Sequence, residues 1–199
     1  AGFATTAGGV LAAYVGMLDG KVPNIAGHLI ACSVLCAPAS LVVAKLMLPE
    51  SEEAQTSGKA DIVIPQASEN IFDAITAGAT DGLRLALNVG AMLIAFVALR
   101  AMIDYLLGAV SDKTLSLDLI MGWVFSPIAW LMGIDSSEIR KVGSLLGQKT
   151  VLTEFIAYMN LGDELAKDPN WLSERGRVIT SYALCGFANF ASIGIQIGG

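Results

Sequence analysis

Residues 182–196 read YALCGFANFASIGIQ, and they are the most informative part of the chain for its fold class. It lies in the uncharged run Val178–Gly199, yet glycine, asparagine and serine interrupt its apolar residues. A run of about 20 apolar residues is long enough to cross a bilayer. Glycine and small polar residues permit a helix to break within such a run, because glycine tolerates unusual backbone angles and the polar side chains supply donors and acceptors. The stretch therefore predicts a broken membrane span over residues 177–199, with the break near Phe187–Ser192.

The same pattern occurs at the start of the chain. Residues 2–7 read GFATTA and residues 186–191 read GFANFA. Repeated, glycine-interrupted apolar segments in two halves are typical of transporters built from inverted repeats. A helix broken inside a membrane exposes N–H and C=O groups, and a bound solute or cation can supply their partners. We therefore predict a second break over Ala4–Gly9, related to the first by a pseudo-two-fold axis.

Composition and charge favour a membrane protein. Hydrophobic residues make up 54% of the chain and charged residues 15%, whereas about a quarter of the residues in a soluble domain are charged. No charge occurs in Ala1–Leu18 or, His28 aside, in Val22–Ala44. The alternative is a large soluble protein with buried core helices, but such helices rarely stay uncharged for so long. The net charge is −6, and most of the acidic residues lie in polar connectors. Because an acidic surface does not attract phosphate groups, we expect no nucleic-acid partner.

The fold class that we predict is an all-α membrane protein, a multi-span helical transporter with a re-entrant hairpin, broken helices and inverted repeats. Because both ends of the chain lie inside apolar runs, we expect an excerpt of a longer protein. Trp123 and Trp130 lie seven residues apart, on one face of a helix that suits the membrane interface. The predicted segments are two membrane spans over 1–48, a polar loop over 49–70, a long span over 71–108, an interfacial helix over 115–134, a re-entrant hairpin over 136–162 and the broken span over 177–199.

Glu154 is the charged residue that the predicted hairpin carries into an apolar run. A carboxylate at membrane depth is costly and usually marks a substrate or ion path. The alternative is an ion pair with Lys149 or Arg175 that holds the fold. Residues 147–150, GQKT, are the candidate tip of the hairpin, where two short helices would meet inside the protein and be shielded from lipid.

The histidine and the cysteines have simple interpretations. His28 is the only histidine, and we expect a packed, hydrogen-bonded side chain rather than a metal ligand. Cys32, Cys36 and Cys185 lie in apolar stretches and are expected to be small buried residues, not disulfides or a metal site. The sequence offers no metal-ligand cluster and no Ser-His constellation, so a membrane-embedded enzyme is disfavoured and we expect no cofactor.

Four stretches resemble signatures of the concentrative nucleoside transporters. Residues 147–158, GQKTVLTEFIAY, resemble G-x-K-x-x-x-N/T-E-F-V-A-Y, and residues 182–195, YALCGFANFASIGI, resemble Y-A-L-C-G-F-A-N-x-x-S-x-G-I. Residues 2–14 resemble G-F-A-T-I-A-G-x-V-L-x-x-Y, with Thr6 in place of the usual Ile or Val. Residues 37–50 fit an A-P-A-x…K-L…P-E element, so the resemblance runs nearly end to end.

The resemblance implies ion-coupled secondary active symport of nucleosides into the cell by an elevator-type mechanism. Members of the family are homotrimers in which a transport domain moves against a scaffold, and residues 71–108 correspond to a long scaffold span. The implied protein is not an enzyme, is multi-pass, lies in the lipid bilayer of the plasma (inner) membrane and uses Na⁺ or H⁺ as its coupling ion. The alternative is a non-transporting gate or scaffold membrane protein of related fold, which would tolerate loss of the ribose-binding residues.

The resemblance also implies roles for single residues at the nucleoside site. Glu154, Asn189 and Ser192 would hold the ribose hydroxyls. This assignment suits their chemistry, because an ionised carboxylate accepts from hydroxyls while Asn and Ser both donate and accept. Phe187 would pack against the nucleoside.

Four residues near the start of the chain complete the implied site. Gly9 and Val10 would line the base pocket. Thr5 and the carbonyl of Thr6 would form part of a sodium site that a hairpin outside this chain completes. For Val10 and Phe187, the alternative is ordinary helix packing.

Overall fold

The computed structural model of the protein describes residues 5–49, 51, 70–111, 114–190 and 192. These residues form α-helices joined by short connections, and no strand occurs among them. The predicted all-α class is therefore confirmed. In chain order the helices are α1 (Gly8–Leu18), α2 (Ile25–Met47), α3 (Ile71–Val110), α4 (Leu117–Leu131), α5 (Ile139–Val151), α6 (Glu154–Lys167) and α7 (Glu174–Leu184).

Helices α2 and α3 are long and apolar enough to cross a bilayer. They have 23 and 40 residues, and the most apolar stretches within them have mean hydropathies of 2.1 and 2.0. Only 11% and 0% of these stretches are buried inside the chain, so neither is the core helix of a soluble protein. At 1.5 Å per residue, α3 is about 60 Å long, roughly twice the hydrocarbon thickness. It therefore has to tilt strongly or extend beyond the bilayer.

A cluster of charged side chains joins α3 to the first turn of α4. Arg100 Nη2 donates to Asp118 Oδ2 at 2.5 Å, and Arg100 Nε lies 3.5 Å from Asp104 Oδ2. The other oxygen of Asp104 accepts a hydrogen bond from the backbone N–H of Leu117 at 2.7 Å. The first N–H groups of a helix lack intrahelical partners, so Asp104 satisfies one of them from the neighbouring helix. The cluster therefore anchors the start of α4 to the long helix.

Helix α5 packs against α4 through glycines that allow close approach of the two backbones. A Cβ added at Gly143 would lie 2.6 Å from the carbonyl oxygen of Gly122, and one added at Gly147 would collide with the side chain of Met121. Small residues four apart on one helix face are typical of tightly packed membrane helices. The helix predicted over residues 115–134 corresponds to α4, and it packs directly on α5, the first arm of the predicted hairpin.

The hairpin predicted over residues 136–162 consists of α5 and α6, but its break is not at the predicted tip. The chain leaves the helical conformation at Leu152 and Thr153, whereas residues 147–150 lie inside α5. The predicted tip is wrong because Gly147 serves helix packing, not a turn. Thr153 is the residue that begins the second arm: its Oγ1 accepts from the N–H of Ile156 at 3.4 Å, as an N-cap does. The second arm also extends beyond 162, to Lys167.

The buried core lies where α1, α2, α5, α6 and α7 meet. Helix α1 packs on α6, α2 packs on α7, and α5 contacts both α6 and α7. At its centre the rings of Tyr14 and Tyr158 stack with their centroids 4.3 Å apart, and both side chains are fully buried. This packing brings the start of α6 next to the end of α7.

The close approach of α4 and α5 predicts opposite effects for two glycine substitutions. Gly143→Ala places a methyl group against the Gly122 carbonyl and should lower stability by about 1–3 kcal/mol, as overpacking does. Gly78→Ala is the control, because Gly78 is an exposed helical glycine with no atom within 4 Å of an added Cβ. It should be neutral or stabilising by up to about 1 kcal/mol. Thermal unfolding of the full-length protein in detergent measures both, and equal stability of the two variants would contradict the packing.

Candidate functional site

Helix α7 stops inside the chain's last apolar run. It ends at Leu184, residues 185–189 are not helical, and a helical turn begins at Phe190. The break predicted near Phe187–Ser192 is therefore present and lies slightly earlier. At the other predicted break, residues 5–7 are not helical and α1 begins at Gly8, while Ala4 lies outside the described residues.

Side chains from the two hairpin arms satisfy carbonyl groups at the C-terminal end of α7. Tyr158 of α6 donates its hydroxyl hydrogen to the carbonyl oxygen of Ser181 at 2.5 Å. Lys149 of α5 donates from Nζ to the carbonyl oxygen of Ala183 at 2.8 Å. The last carbonyl groups of any helix lack intrahelical partners, and in an apolar region each one has to be satisfied from outside the helix. The hairpin is thereby bound to the break.

Two further side chains reach the same end of α7 from the N-terminal part of the chain. Thr6 Oγ1 donates to the carbonyl oxygen of Cys185 at 2.9 Å, and Cys32 Sγ lies 3.6 Å from the carbonyl oxygen of Tyr182. Thr6 precedes α1 and Cys32 belongs to α2. Both N-terminal helices are therefore linked to the break, and the two predicted breaks lie close together in space.

Asn189 connects the second half of the broken span to Glu154. Its Oδ1 accepts from the N–H of Ser192 at 2.6 Å, and the hydroxyl of Ser192 donates back to the Asn189 carbonyl at 2.7 Å. Its Nδ2 donates to Glu154 Oε2 at 2.8 Å. Glu154, Asn189 and Ser192 are exposed by only 4%, 7% and 4%. The structure thus brings together the three residues that the sequence analysis places at the ribose.

The carboxylate of Glu154 occupies the first turn of α6, where the helix dipole favours negative charge. Its second oxygen, Oε1, accepts from the hydroxyl of Tyr14 at 3.1 Å. In the part of the chain that the structure describes, neither Lys149 nor Arg175 forms an ion pair with it. Glu154 is therefore held by neutral donors, and the alternative of an ion pair that holds the fold is not observed.

Tyr14 is a residue of this site that the sequence analysis did not assign. It is fully buried in α1, and its ring lies 6.2 Å from that of Phe155 as well as on that of Tyr158. The available signal was a lone hydroxyl group in the uncharged helix Gly8–Leu18, where a buried Tyr needs a hydrogen-bond partner. The identity of that partner depends on a contact across 140 residues of sequence.

The remaining predicted residues lie in or beside the two predicted breaks, and they are Phe187, Gly9, Val10, Thr5 and Thr6. Phe187 is half-buried within the break itself. Gly9 and Val10, in the first turn of α1, are exposed, Val10 by 37%. The roles of these three residues at the nucleoside, and of Thr5 and the Thr6 carbonyl at sodium, stay predictions.

The histidine is packed and hydrogen-bonded as predicted, and Cys32 and Cys185 are buried as predicted, whereas Cys36 is only partly buried. His28 Nδ1 lies 3.2 Å from the hydroxyl of Tyr182, and the two rings meet edge to face. Cys32, Cys36 and Cys185 are free thiols. No group of three metal-ligating side chains occurs within the described ranges. These residues are packed parts of the core around the break.

Together, a broken helix, a helical hairpin and a buried carboxylate between them define a class of protein. Helices long enough to cross a bilayer accompany them, and intramembrane carboxylates at broken helices mark substrate or ion paths. The site is that of a membrane transport protein of the broken-helix class.

Comparisons with known proteins identify the family. Residues 28–199 match the family described as Na⁺ dependent nucleoside transporter C-terminus. The chain is 46% identical over 177 residues to the uncharacterized transporter YutK of Bacillus subtilis (strain 168), covering 86% of this chain and 43% of that protein. It is 37% identical over 215 residues to sodium/nucleoside cotransporter 1 of Sus scrofa, covering 100% of this chain and 32% of that protein. The chain therefore belongs to the Na⁺ dependent nucleoside transporter family.

A solved structure supports the same assignment. CNTnw in an inward-facing substrate-bound state matches with a TM-score of 0.79 and 43% identity, over 100% of this chain and 48% of that chain. The resemblance to the concentrative nucleoside transporters is thus confirmed. The chain spans less than half the length of each of these relatives.

The contact between Tyr14 and Glu154 predicts a functional effect for a small substitution. Tyr14→Phe keeps the stacked ring but removes the donor that orients the carboxylate. A hydrogen bond to a charged group contributes about 1.5–3 kcal/mol, so the affinity of the full-length protein for a ligand held by Glu154 should fall by about tenfold or more. Tyr105→Phe is the matched control, because Tyr105 is 76% exposed on α3. Unchanged affinity in Tyr14→Phe, measured by equilibrium binding, would show that Asn189 alone fixes the carboxylate.

Proposed function

We propose that the full-length protein carries nucleosides into the cell across the plasma (inner) membrane by Na⁺-coupled symport. The observation that carries this proposal is the buried carboxylate of Glu154, held by Asn189 at the break of α7. Two relatives support it: one bears the name sodium/nucleoside cotransporter 1, and the solved structure of CNTnw is described as substrate-bound.

The carboxylate has the capacity to bind a ribose. An ionised carboxyl group offers about four acceptor sites on two oxygens. Asn189 and Tyr14 each use one site, on different oxygens, so each oxygen keeps a further acceptor site for a hydroxyl. Vicinal ribose hydroxyls would donate to these sites in charge-assisted hydrogen bonds, which are about twice as strong as neutral ones. Ser192 would add its hydroxyl as an acceptor, since its hydrogen already bonds to Asn189.

The coupling ion would bind beside the non-helical residues 5–7. Residues 5–7 are not helical, and unwound backbone at such breaks coordinates Na⁺ in transporters of this class. We assign Thr5 and the Thr6 carbonyl to this partial sodium site, because the Thr6 hydroxyl already fixes the segment against Cys185. Gly9 and Val10 follow directly in α1 and would line the base pocket, with Phe187 packing on the nucleoside from the other break.

The same proposal includes a homotrimer and an elevator-type movement. Helix α3 has no buried residue, and α4 is the element of the described chain that it contacts. A long helix that contacts the rest of the described chain at one place suits a scaffold that contacts other subunits and lipid. The alternative, a non-transporting gate of related fold, would have no use for Glu154, Asn189 and Ser192 assembled in one buried cluster.

Loss of the Glu154 charge should weaken nucleoside binding. Glu154→Gln keeps the shape of the side chain but removes its charge. Hydrogen bonds from the ribose to this side chain are then no longer charge-assisted, so nucleoside affinity should fall by about tenfold or more. The effect should largely vanish for an analogue that lacks the ribose hydroxyl bound by Glu154. Glu164→Gln is the control, since Glu164 lies on the same helix and pairs with the exposed Lys167. Equal losses for both ligands would reject a direct contact with the ribose.

Replacement of Na⁺ should separate the two candidate coupling ions. If Na⁺ binds beside the nucleoside, its removal should lower nucleoside affinity by about 5- to 150-fold, the usual range of coupling between sites. The measurement is nucleoside binding to the full-length protein in Na⁺ and in choline, each at neutral and acidic pH. Full affinity in choline at acidic pH would assign the coupling to H⁺ instead.

A further inference from the structure

The break of α7 holds a positive charge that the proposed nucleoside site does not use. Lys149 Nζ donates to the carbonyl oxygen of Ala183 at 2.8 Å. A Cβ added at Gly186 would lie 3.5 Å from the same Nζ, so the ammonium group sits within the break and not beside it. Lys149 comes from the first hairpin arm, whereas Glu154 begins the second.

We propose that the Lys149 ammonium is a tethered cation that takes the place of a bound ion at the carbonyl end of α7. The C-terminal end of a helix carries about half a negative charge. In broken-helix transporters, such ends and the unwound carbonyls beside them coordinate cations. Here a cation of the protein itself occupies that position, delivered by a hairpin arm.

The contacts of Lys149 favour this role over an ordinary ion pair. A lysine at membrane depth is costly and normally pairs with a carboxylate or with backbone carbonyls. In the described part of the chain, Lys149 has no carboxylate within ion-pair distance, and its hydrogen bond goes to the last turn of α7. The helix end is therefore its direct partner, and Glu154, on the other side of the hairpin break, is a more distant one.

The proposal has a consequence for the nucleoside site. With Lys149 in place, the break of α7 needs no ion of its own, and the hairpin carries one positive and one negative group on opposite sides of Leu152 and Thr153. Lys149 is thus a positioning residue, because it acts on the nucleoside through the break and Glu154 without touching it. This inference rests on the proposed nucleoside function.

Lys141 provides a matched control on the same helix. Its Nζ also donates to a backbone carbonyl, that of Trp171, and at the same distance of 2.8 Å. Eight residues separate it from Lys149, which is about 12 Å along α5. Lys141→Ala removes the same kind of bond far from the break.

The experiment compares Lys149→Ala and Lys141→Ala in the full-length protein, with ammonium and methylammonium as probes. In Lys149→Ala, nucleoside affinity should fall by about tenfold or more and recover as either probe is added. The Na⁺ dependence of binding should also become steeper, because the vacated carbonyl of Ala183 can take up an ion. The probes should raise the Tm of Lys149→Ala but not that of the wild type or Lys141→Ala.

Several outcomes would overturn the proposal. They are wild-type affinity with unchanged Na⁺ dependence in Lys149→Ala, or a loss that neither probe reverses in a protein of normal assembly. If Lys149→Ala does not assemble, Lys149→Arg, which keeps the positive charge, and Lys149→Met, which removes it, are compared instead. Nucleoside binding that is retained in Lys149→Arg and lost in Lys149→Met supports the tethered cation. Equal binding by the two variants rejects it. The Tm measurement needs no nucleoside and therefore tests the tethered cation by itself. Absence of nucleoside binding in the wild type would reject the proposed function without affecting that test.

Discussion

A helix that ends inside an apolar region leaves its last carbonyl groups without partners, and much of this chain is arranged to supply them. Helix α7 receives a side chain from each hairpin arm, from α2 and from the segment before α1. Each of these contacts serves two purposes, since it satisfies a carbonyl and also fixes the element that donates. The mutual positions of five helices therefore depend on one interrupted helix.

Asn189 satisfies a backbone group at the break of α7 and at the same time orients the carboxylate of Glu154. Its amide oxygen caps the helical turn that follows the break, and its amide nitrogen donates to Glu154. An aspartate could cap that turn but would repel the carboxylate, and a serine would offer a shorter, single hydroxyl. An amide meets both needs, so the direction of the carboxylate is tied to the start of the second half-helix.

The broken span was predictable from the sequence pattern, because glycine and polar residues seldom interrupt a long apolar run unless the helix breaks there or a polar site is formed. The meeting of Glu154 with Asn189, 35 residues apart, was implied by the family resemblance and not by the pattern. The sequence pattern missed features that depend on distant partners. Gly147 suggested a turn, since the sequence does not reveal that α4 approaches it. Lys149 is close to Glu154 in sequence, yet a helix end 34 residues away competes for its ammonium. Tyr14 has the pattern of a packing aromatic, and its hydroxyl partner lies 140 residues along the chain.

Helix α4 is attached on two sides by contacts of different mechanical character. Against α5 the glycine contacts are rigid, because any sliding brings side-chain volume onto backbone. Against α3 the contacts are polar: the guanidinium of Arg100 donates to Asp118, and Asp104 accepts from the backbone N–H of Leu117. The two sides of α4 therefore resist displacement differently: movement away from α5 requires closely packed side chains to rearrange, whereas movement away from α3 requires two polar contacts to be exchanged.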